Sequence, residues 1–559
     1  MMNAPSRALT PTLYDMPWQA FLKIIPLLFL SIPLLPFLGR RIRNHFLNKE
    51  TITFDLPVLG KSRQQGEKIR GTAVVCGGSI AGLLTARVCS DHFEKVIIVE
   101  PEAWLCTEDG KRIDSWNQKN KRTRVMQYYS IHGNLVPVTQ CLLRLFPDFE
   151  EESSRSGIRL PPADFKVFPG GHQILCPYDE YNGTLPQGAQ AGRRATETLI
   201  RRLTLDNKRY PNISQIPGSA IGVEVDPAKP KYLKRVIIQK SETGLKEYLD
   251  ATLVIDCTGP ARAGMKHLPQ AGFGKLLEDL TASYDPQMRY ATFNYKFSQE
   301  FFTKLPEETK VAPGLFVYKG DPKHSQGIVA ATKLEGDYVS LTCGSWGVPD
   351  LPEDLDSVRK YLASTKPAKP IPEWIWQFID MCQQVEDTLE FSKVRAPPSF
   401  WTHYELANDL PPNWIALGDS VSRVNPVYGQ GGCKAMMGIA SLNTLLHDLN
   451  NKKAHSIPTD FSRNFFCTQA EKIKPIWMGN KMIDYAYKTT VPEKGETLEV
   501  GSYIRWYLDQ VEKLSVKDKQ IGSVVWHGLH AIGASIDVMN PIIVGKVLLH
   551  FLTTSTLKR

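Results

Sequence analysis

The chain has 559 residues, more than one compact core accommodates, so two or more domains are expected. Hydrophobic residues make up 42% and charged residues 22%, which excludes a disordered chain and one embedded wholly in membrane. The net charge of +9 is mild over this length, and no Lys/Arg block with interleaved aromatics occurs, so nucleic acid is not an expected partner. From Ile24 to Gly39 no side chain is charged, and Lys23 alone interrupts the apolar character back to Pro17. A helix needs about 20 residues to cross a bilayer, and Pro26, Pro33 and Pro36 would kink this one or hold it partly unwound. Arg40, Arg41, Arg43 and His45 follow at once, a basic flank predicted to stay in the cytosol. Residues 1–50 are therefore expected to anchor the chain, spanning the membrane or lying on it; a cleaved signal peptide and an apolar arm packed on the globule are the alternatives.

Residues 51–70 read as a polar linker. Beyond them lies the most informative stretch, GTAVVCGGSIAGLLTARVCSDHFEKVIIVE, from Gly71 to Glu100. An apolar run (Ala73 to Cys76) meets a small-residue turn, a helical pattern follows from Leu83 to about Ser90, and a second apolar run (Val96 to Val99) ends in Glu100. This is the strand–turn–helix–strand order of a dinucleotide-binding unit. Gly77, Gly78, Ala81 and Gly82 let the backbone approach a pyrophosphate seated on free N–H groups at the helix start, and Glu100 can accept from a ribose. Ser79 stands where the second glycine of G-x-G-x-x-G is expected.

Helices are predicted for Val136 to Phe146 and Arg193 to Leu203, and strands for Arg235 to Gln239 and Ala251 to Cys257. Tyr290 to Trp346 alternates and is rich in aromatics, as in an antiparallel sheet. Trp414 to Leu417 is another buried strand closed by Gly418-Asp419; a small-residue helix follows from about Gly431 to Leu449, and the tail from Phe461 is mostly helical. Asn540-Pro541 reads as a helix cap followed by proline at the first helical position, and Ile521 to Leu552 is too polar to span a bilayer as one lipid-exposed helix, so two helices packing on the globule or resting on the membrane are both open. The two late strands that should join the first unit are far from it in sequence, with sheet-rich residues between them. The predicted class is α/β: a Rossmann-like domain assembled from separated segments (71–275 and 396–455), an inserted antiparallel-sheet domain (276–395) and a C-terminal helical region (456–559). The ten cysteines form no Cys-x-x-Cys pair and no metal-ligand spacing, so no metal is expected and free thiols are. Two glycosylation triplets, at Asn182 and Asn212, are of the kind that arises by chance.

Three separated motifs carry a family resemblance: VVCGGSIAGLLTARVCSDHFEKVIIVE, LVIDCTGPARAG and IALGDSVSRVNPVYGQGGCKAM. With them the chain resembles the flavoprotein monooxygenases of the p-hydroxybenzoate hydroxylase fold, closest to bacterial FAD-dependent epoxidases and hydroxylases acting on polyketides, with squalene monooxygenase more distant. The resemblance spans roughly Gly71 onward and implies FAD as cofactor and NAD(P)H as co-substrate. It implies that Gly77, Gly78, Ser79, Ala81 and Gly82 cradle the pyrophosphate, that Glu100 holds the adenosine ribose, and that Asp419 binds the ribityl chain. Gly429, Gly431 and Gly432 would bring backbone N–H groups to the flavin. Arg193, with Arg194 as alternative, matches the family's helix arginine that reaches FAD. Arg124 and Gln127 fall in a loop that passes near the flavin, although Tyr128-Tyr129-Ser130 replaces the residues the bacterial sequences show there. His132 is read as structural, and Asp256 and Gly259 as shaping a strand end.

The reaction so implied is insertion of one oxygen atom from O2, by epoxidation or hydroxylation through a flavin C4a-hydroperoxide, into a lipophilic terpenoid or polyketide of secondary metabolism. Tyr290, Phe293, Tyr295, Phe297, Phe301, Phe302, Phe316 and Tyr318 either line an apolar pocket or form ordinary sheet core. No paired carboxylates or His/Asp arrangement stands out as catalytic. Rival readings are a flavin-dependent halogenase, of whose Trp-x-Trp-x-Ile-Pro motif only Trp374-x-Trp376 is present, a prenyl-lipid reductase, and a flavin-binding membrane scaffold. No protein partner is implied. The expected location is a membrane, with the catalytic part facing the cytosol, as on the endoplasmic reticulum.

Overall fold

The computed structural model describes residues 34–556 except 311, 313, 348, 349 and 368. The expected anchor falls largely outside the described residues; its last part begins helix α1 (Leu34–Glu50). Among the described residues no helix is long and apolar enough to cross a membrane.

The strands in chain order are β1 (Ile69–Cys76), β2 (Phe93–Glu100), β3 (Val167–Pro169), β4 (Ile213–Asp226), β5 (Lys229–Lys240), β6 (Lys246–Asp250), β7 (Leu253–Asp256), β8 (Thr281–Tyr284), β9 (Met288–Lys296), β10 (Gly314–Lys319), β11 (Gly327–Lys333), β12 (Tyr338–Trp346), β13 (Glu390–Arg395), β14 (Ser399–Thr402), β15 (Trp414–Ala416) and β16 (Ser422–Arg423). The longer helices after α1 are α2 (Ile80–His92), α3 (Val136–Leu145), α4 (Arg193–Thr204), α5 (Leu355–Ser364), α6 (Glu373–Gln383), α7 (Gly431–Asn451), α8 (Phe461–Asp484), α9 (Ser502–Ser515), α10 (Lys519–Leu529) and α11 (Pro541–Thr556).

One sheet has the order β15-β7-β1-β2-β4-β5-β6. Its first five strands run parallel, and β4-β5-β6 close it as an antiparallel meander. The inner segments of β1 and β2, with β7 and β15, are buried on both faces and read as short continuous apolar runs, as helix-covered strands do. β15 arrives from more than 150 residues after β7, so the domain is indeed built from separated segments. The second sheet, β13-β9-β12-β11-β10-β3, is antiparallel apart from the β10–β3 pair. A third, small sheet has the order β16-β14-β8 and is antiparallel.

Two parts of the sequence reading change. Residues 51–70 are not a loose linker: Ile52 and Leu59 join the main core, Asp55 pairs with Lys472 at 2.9 Å, and the buried Arg63 donates to the carbonyls of Leu446 and Ala454. Burial of one alternate charged residue with its partner is invisible in a polar-looking segment. The long strand β4 is also missing from the sequence reading, because Pro217 and Gly218 look like a break. They mark instead the point where β4 leaves its parallel partner β2, after Glu100↔Pro217, and begins pairing with β5. Asn212 donates to the carbonyls of Ser90 and Phe93, both at 3.0 Å, so its side chain is part of the fold. All ten cysteines are free thiols.

The aromatic stretch divides by strand alternation. Phe293, Tyr295, Phe297, Phe316 and Tyr318 are buried on the side of the second sheet covered by α5 and α6, with Phe301 and Phe302 at its edge. They are sheet core. Tyr290 alone of the eight points the other way, into a cluster with Met288, Trp346 and Tyr487 that meets Val427 and Tyr428. Trp374 and Trp376 lie on α6 against the same outer core as Phe316.

Candidate cofactor site

The three motifs converge on one place. Gly77 has φ +111, and a Cβ there would lie 2.3 Å from the Cys257 carbonyl oxygen, so only glycine lets the second motif approach the first. Gly418 has φ +65, and its missing Cβ leaves room for Ala81, 2.9 Å away, which brings the third motif against the first. Ser420 joins the second and third: its hydroxyl donates to Asp256 Oδ1 (3.0 Å) and accepts from Gly259 N (2.9 Å). Asp256 also accepts from Thr258 N and Gly264 N, so it fastens the strand end as expected. Gly82 sits where a Cβ would meet the Gly77 oxygen at 1.8 Å, seating α2 tightly on the loop.

Gly78 N donates to Glu100 Oε2 (2.9 Å), and the other oxygen of this buried carboxylate accepts from Glu102 N. Ser79 precedes α2 without a side-chain hydrogen bond to its first turn, which leaves those N–H groups open to an anion. The Ser79 hydroxyl turns to α4 instead. It accepts from Arg193 Nη2 at 2.6 Å and donates to Glu197 Oε2 at 2.9 Å. Of the two helix arginines, Arg193 therefore reaches the loop. Arg194 turns to the second sheet, pairing with Glu390 and lying over the Trp116 ring at 4.1 Å.

Glu197 is the centre of a buried ion cluster. Arg193 donates to it at 3.0 Å, Arg201 at 2.9 Å, and Arg122 contacts its Oε1. Arg201 also donates to the Gly78 carbonyl (2.7 Å), and Arg122 bridges to Glu102. Burial alone would raise the Glu197 carboxyl, but the guanidiniums of Arg122, Arg193 and Arg201 outweigh it and hold it down at about 2. A carboxyl lowered on folding stabilises above its unfolded value, near 4.3, and loses that contribution as pH falls toward 2. Urea unfolding of the cofactor-free protein is expected to show ~3 kcal/mol of stability lost across that window from this group; a flat profile between pH 4.5 and 2.5 would contradict the arrangement.

Arg124 is exposed and Gln127 half-buried. The buried arginine of this loop is Arg122, two residues earlier. Gln127 and Ser130 face the Tyr290 hydroxyl. His132 bonds the Ser130 carbonyl at 2.8 Å; burial first, then the nearby Arg193, push its imidazole down to about 4, so it is neutral.

In the third motif, Asp419 is surrounded by protein yet its side chain is 41% exposed. Its Oδ1 accepts from Lys434 Nζ at 2.8 Å, and Lys434 also reaches the Ser422 carbonyl from the first turn of α7. Burial would raise the Asp419 carboxyl; Lys434 outweighs it and the group is lowered. The turn before α7 carries Gly429 at φ +67, its nearest neighbour 3.9 Å from a Cβ position. Gly431 faces open space with nothing within 4 Å, and α7 starts without a side-chain cap. Gly432 faces α3, where a Cβ would come within 3.1 Å of Val138.

A buried carboxylate fixes this turn to the second sheet. Asp484, at the end of α8, accepts from Tyr428 OH (2.7 Å), Asn425 Nδ2 (2.8 Å), Trp346 Nε1 (2.7 Å) and Tyr284 OH (2.9 Å). Burial pushes it up to about 6 against those four donors. Arg122, Glu197, Arg201, Lys434 and Asp484 were all missed in the sequence. The one available signal was the i, i+4 spacing of Arg193, Glu197 and Arg201.

No family model matches the chain. It is 23% identical over 442 residues to Protein Rv3254 of Mycobacterium tuberculosis, covering 75% of this chain and 81% of that one. Among solved structures it resembles the flavin-dependent brominase Bmp2, at TM-score 0.51 and 13% identity, over 87% of this chain and all of that one. It resembles equally a flavoprotein/dehydrogenase from Cytophaga hutchinsonii, at TM-score 0.51 and 13% identity, over 87% and 98%. The molecule thus has the p-hydroxybenzoate hydroxylase-like fold.

Proposed function

We propose that the protein is an FAD-dependent monooxygenase that inserts one oxygen atom from O2 into a lipophilic substrate, of terpenoid or polyketide type, at the expense of NAD(P)H. The observation that carries this reading is the convergence of the three motifs, which brings the Gly77–Gly82 turn and Arg193 within electrostatic reach of Asp419, with Gly431 open at the start of α7. Those residues suit FAD. The first turn of α2, Ser79 and Arg193 offer donors and positive charge to a pyrophosphate. Asp419 offers an acceptor to ribityl hydroxyls, and the N-terminus of α7 offers N–H groups and a positive dipole to the anionic edge of reduced flavin. Bound FAD would supply electron transfer from NAD(P)H and activation of O2.

The protein's own contribution is position and exclusion of water. Asp484 holds the cradle turn to Trp346 of β12. Tyr290 packs beside that turn, with Ser130 and Gln127 at its hydroxyl. An alkene needs no base there, consistent with a neutral His132. The N-terminal apolar segment would keep the enzyme on a membrane, facing the cytosol, where such substrates partition. Trp374 and Trp376 lie in the outer core of the second sheet, so they lend no support to a halogenase.

Purified protein should be yellow, or take up FAD on reconstitution. With NADPH and a lipophilic extract it should consume O2 and yield a product heavier by one oxygen. A colourless protein that takes up no flavin sinks the reading. NADPH oxidation without O2 consumption would point to a reductase, and a halide-dependent product to a halogenase.

A further inference from the structure

Helix α11 is apolar on two opposite sides. Ile543 and Val547 are fully buried against Val511 and Ile521 of α9 and α10. Ile542, Leu548, Leu549 and Leu552 face outward, Leu549 and Leu552 by more than 60%. A helix on a water-facing surface puts polar residues there. Its neighbours share the feature. On α9, Tyr503 and Ile504 are exposed, and Trp506 meets Phe551 edge-on at 5.2 Å. On α1, Phe37, Leu38 and Ile42 are exposed. The turn at 535–539, with exposed Met539, joins the three: Arg43 pairs with Asp537 at 2.8 Å, and the Ser535 hydroxyl donates to Glu50 at 2.7 Å. Single exposed apolar residues need no explanation; a contiguous set does.

We infer that α1, α9 and α11 form a lipid-binding face that seats the protein on a bilayer surface, with α11 lying in the interface rather than crossing it. Sixteen residues of helix extend about 24 Å, short of the roughly 30 Å of hydrocarbon, and the inner side of α11 is already packed. Three observations select lipid as the occupant. The chain leading into α1 is uncharged and apolar from Ile24. Arg40 and Arg41 lie exposed beside Phe37 and Leu38, placing cations where anionic headgroups would be. Tyr503 and Trp506 are the residue types that prefer the boundary between water and lipid. Helix α10, on which α11 packs, touches the turn before α7: Gln430 donates to the carbonyl of Leu529 at 3.2 Å. This docking is independent of the flavin reading.

The test uses the full chain in a Cys467→Ser background, which removes the exposed thiol. Leu549→Cys carries an environment-sensitive fluorophore, and Leu245→Cys, exposed on the β5–β6 hairpin, is the control. With phosphatidylcholine and phosphatidylserine vesicles at about four to one, the label at 549 should shift to the blue and be quenched by nitroxide lipids, while that at 245 should not. Ile542→Glu/Leu549→Glu/Leu552→Glu should cut vesicle binding at least about tenfold with flavin content unchanged. The inference falls if the 549 label stays in water while the protein floats with vesicles. It falls equally if the label shifts without lipid as protein concentration rises, since the face would then pair with a second copy.

Discussion

Glu197→Gln is expected to destabilise the cofactor-free protein by about 3–5 kcal/mol, because it leaves buried guanidiniums short of one counter-charge. The cluster holds three carboxylates, Glu100, Glu102 and Glu197, against Arg122, Arg193 and Arg201. Glutamine keeps the shape but removes the charge, and its amide presents donors to donors. Arg201 is fully buried and Arg122 nearly so, and neither can swing out to water. The thermal midpoint should fall by about 10 °C, and added salt should not restore it, since buried pairs escape screening. An exposed ion pair would cost under about 1 kcal/mol, so a variant within about 2 °C of the wild type would refute the cluster's role. Saturating FAD should recover part of the loss, through the pyrophosphate charge beside Arg193.

The parts of the fold that the sequence exposes are those where one local pattern dominates. β1, α2 and β2 follow from a buried run, a glycine turn and a second buried run, and the two strands extend a few residues beyond the apolar letters because Ile69 and Phe93 still pair across the sheet. The insertion of a second domain follows from where Leu253–Asp256 and Trp414–Ala416 fall along the chain. Asn540 accepts from Ile542 N at 3.0 Å, the cap that Asn-Pro implies. Side-chain partnerships across distant segments are not written locally. Arg122, Glu197 and Gly78 come from three segments, and no spacing rule joins them. The alternation at Tyr290–Tyr295 gives two faces, but which face meets the cleft depends on α5 and α6, more than 50 residues further on. Asp484 looks like any helix-end acid until Tyr284, Trp346, Asn425 and Tyr428 close on it.

Gly431→Ala and Gly82→Ala should separate cofactor contact from folding, and they should do so in opposite ways. A Cβ at Gly82 would lie 1.8 Å from the Gly77 oxygen, a backbone atom that cannot step aside, so α2 must lift from β1. That variant should lose both stability and flavin, with the apo-protein itself unfolding at lower urea. A Cβ at Gly431 meets nothing within 4 Å, and glycine in a helix is worse than alanine by roughly 0.5–1 kcal/mol. The apo form of Gly431→Ala should therefore be as stable as the wild type or slightly more so. If the cleft seats a flavin against the first turn of α7, the added methyl removes that seat, and FAD affinity should drop at least about tenfold, or 1.4 kcal/mol. Flavin fluorescence titration against each apo-protein reads the affinity, and urea unfolding reads the stability. Unchanged FAD affinity in Gly431→Ala would mean that the open space at the start of α7 is not where the cofactor lies, whatever Gly82→Ala does.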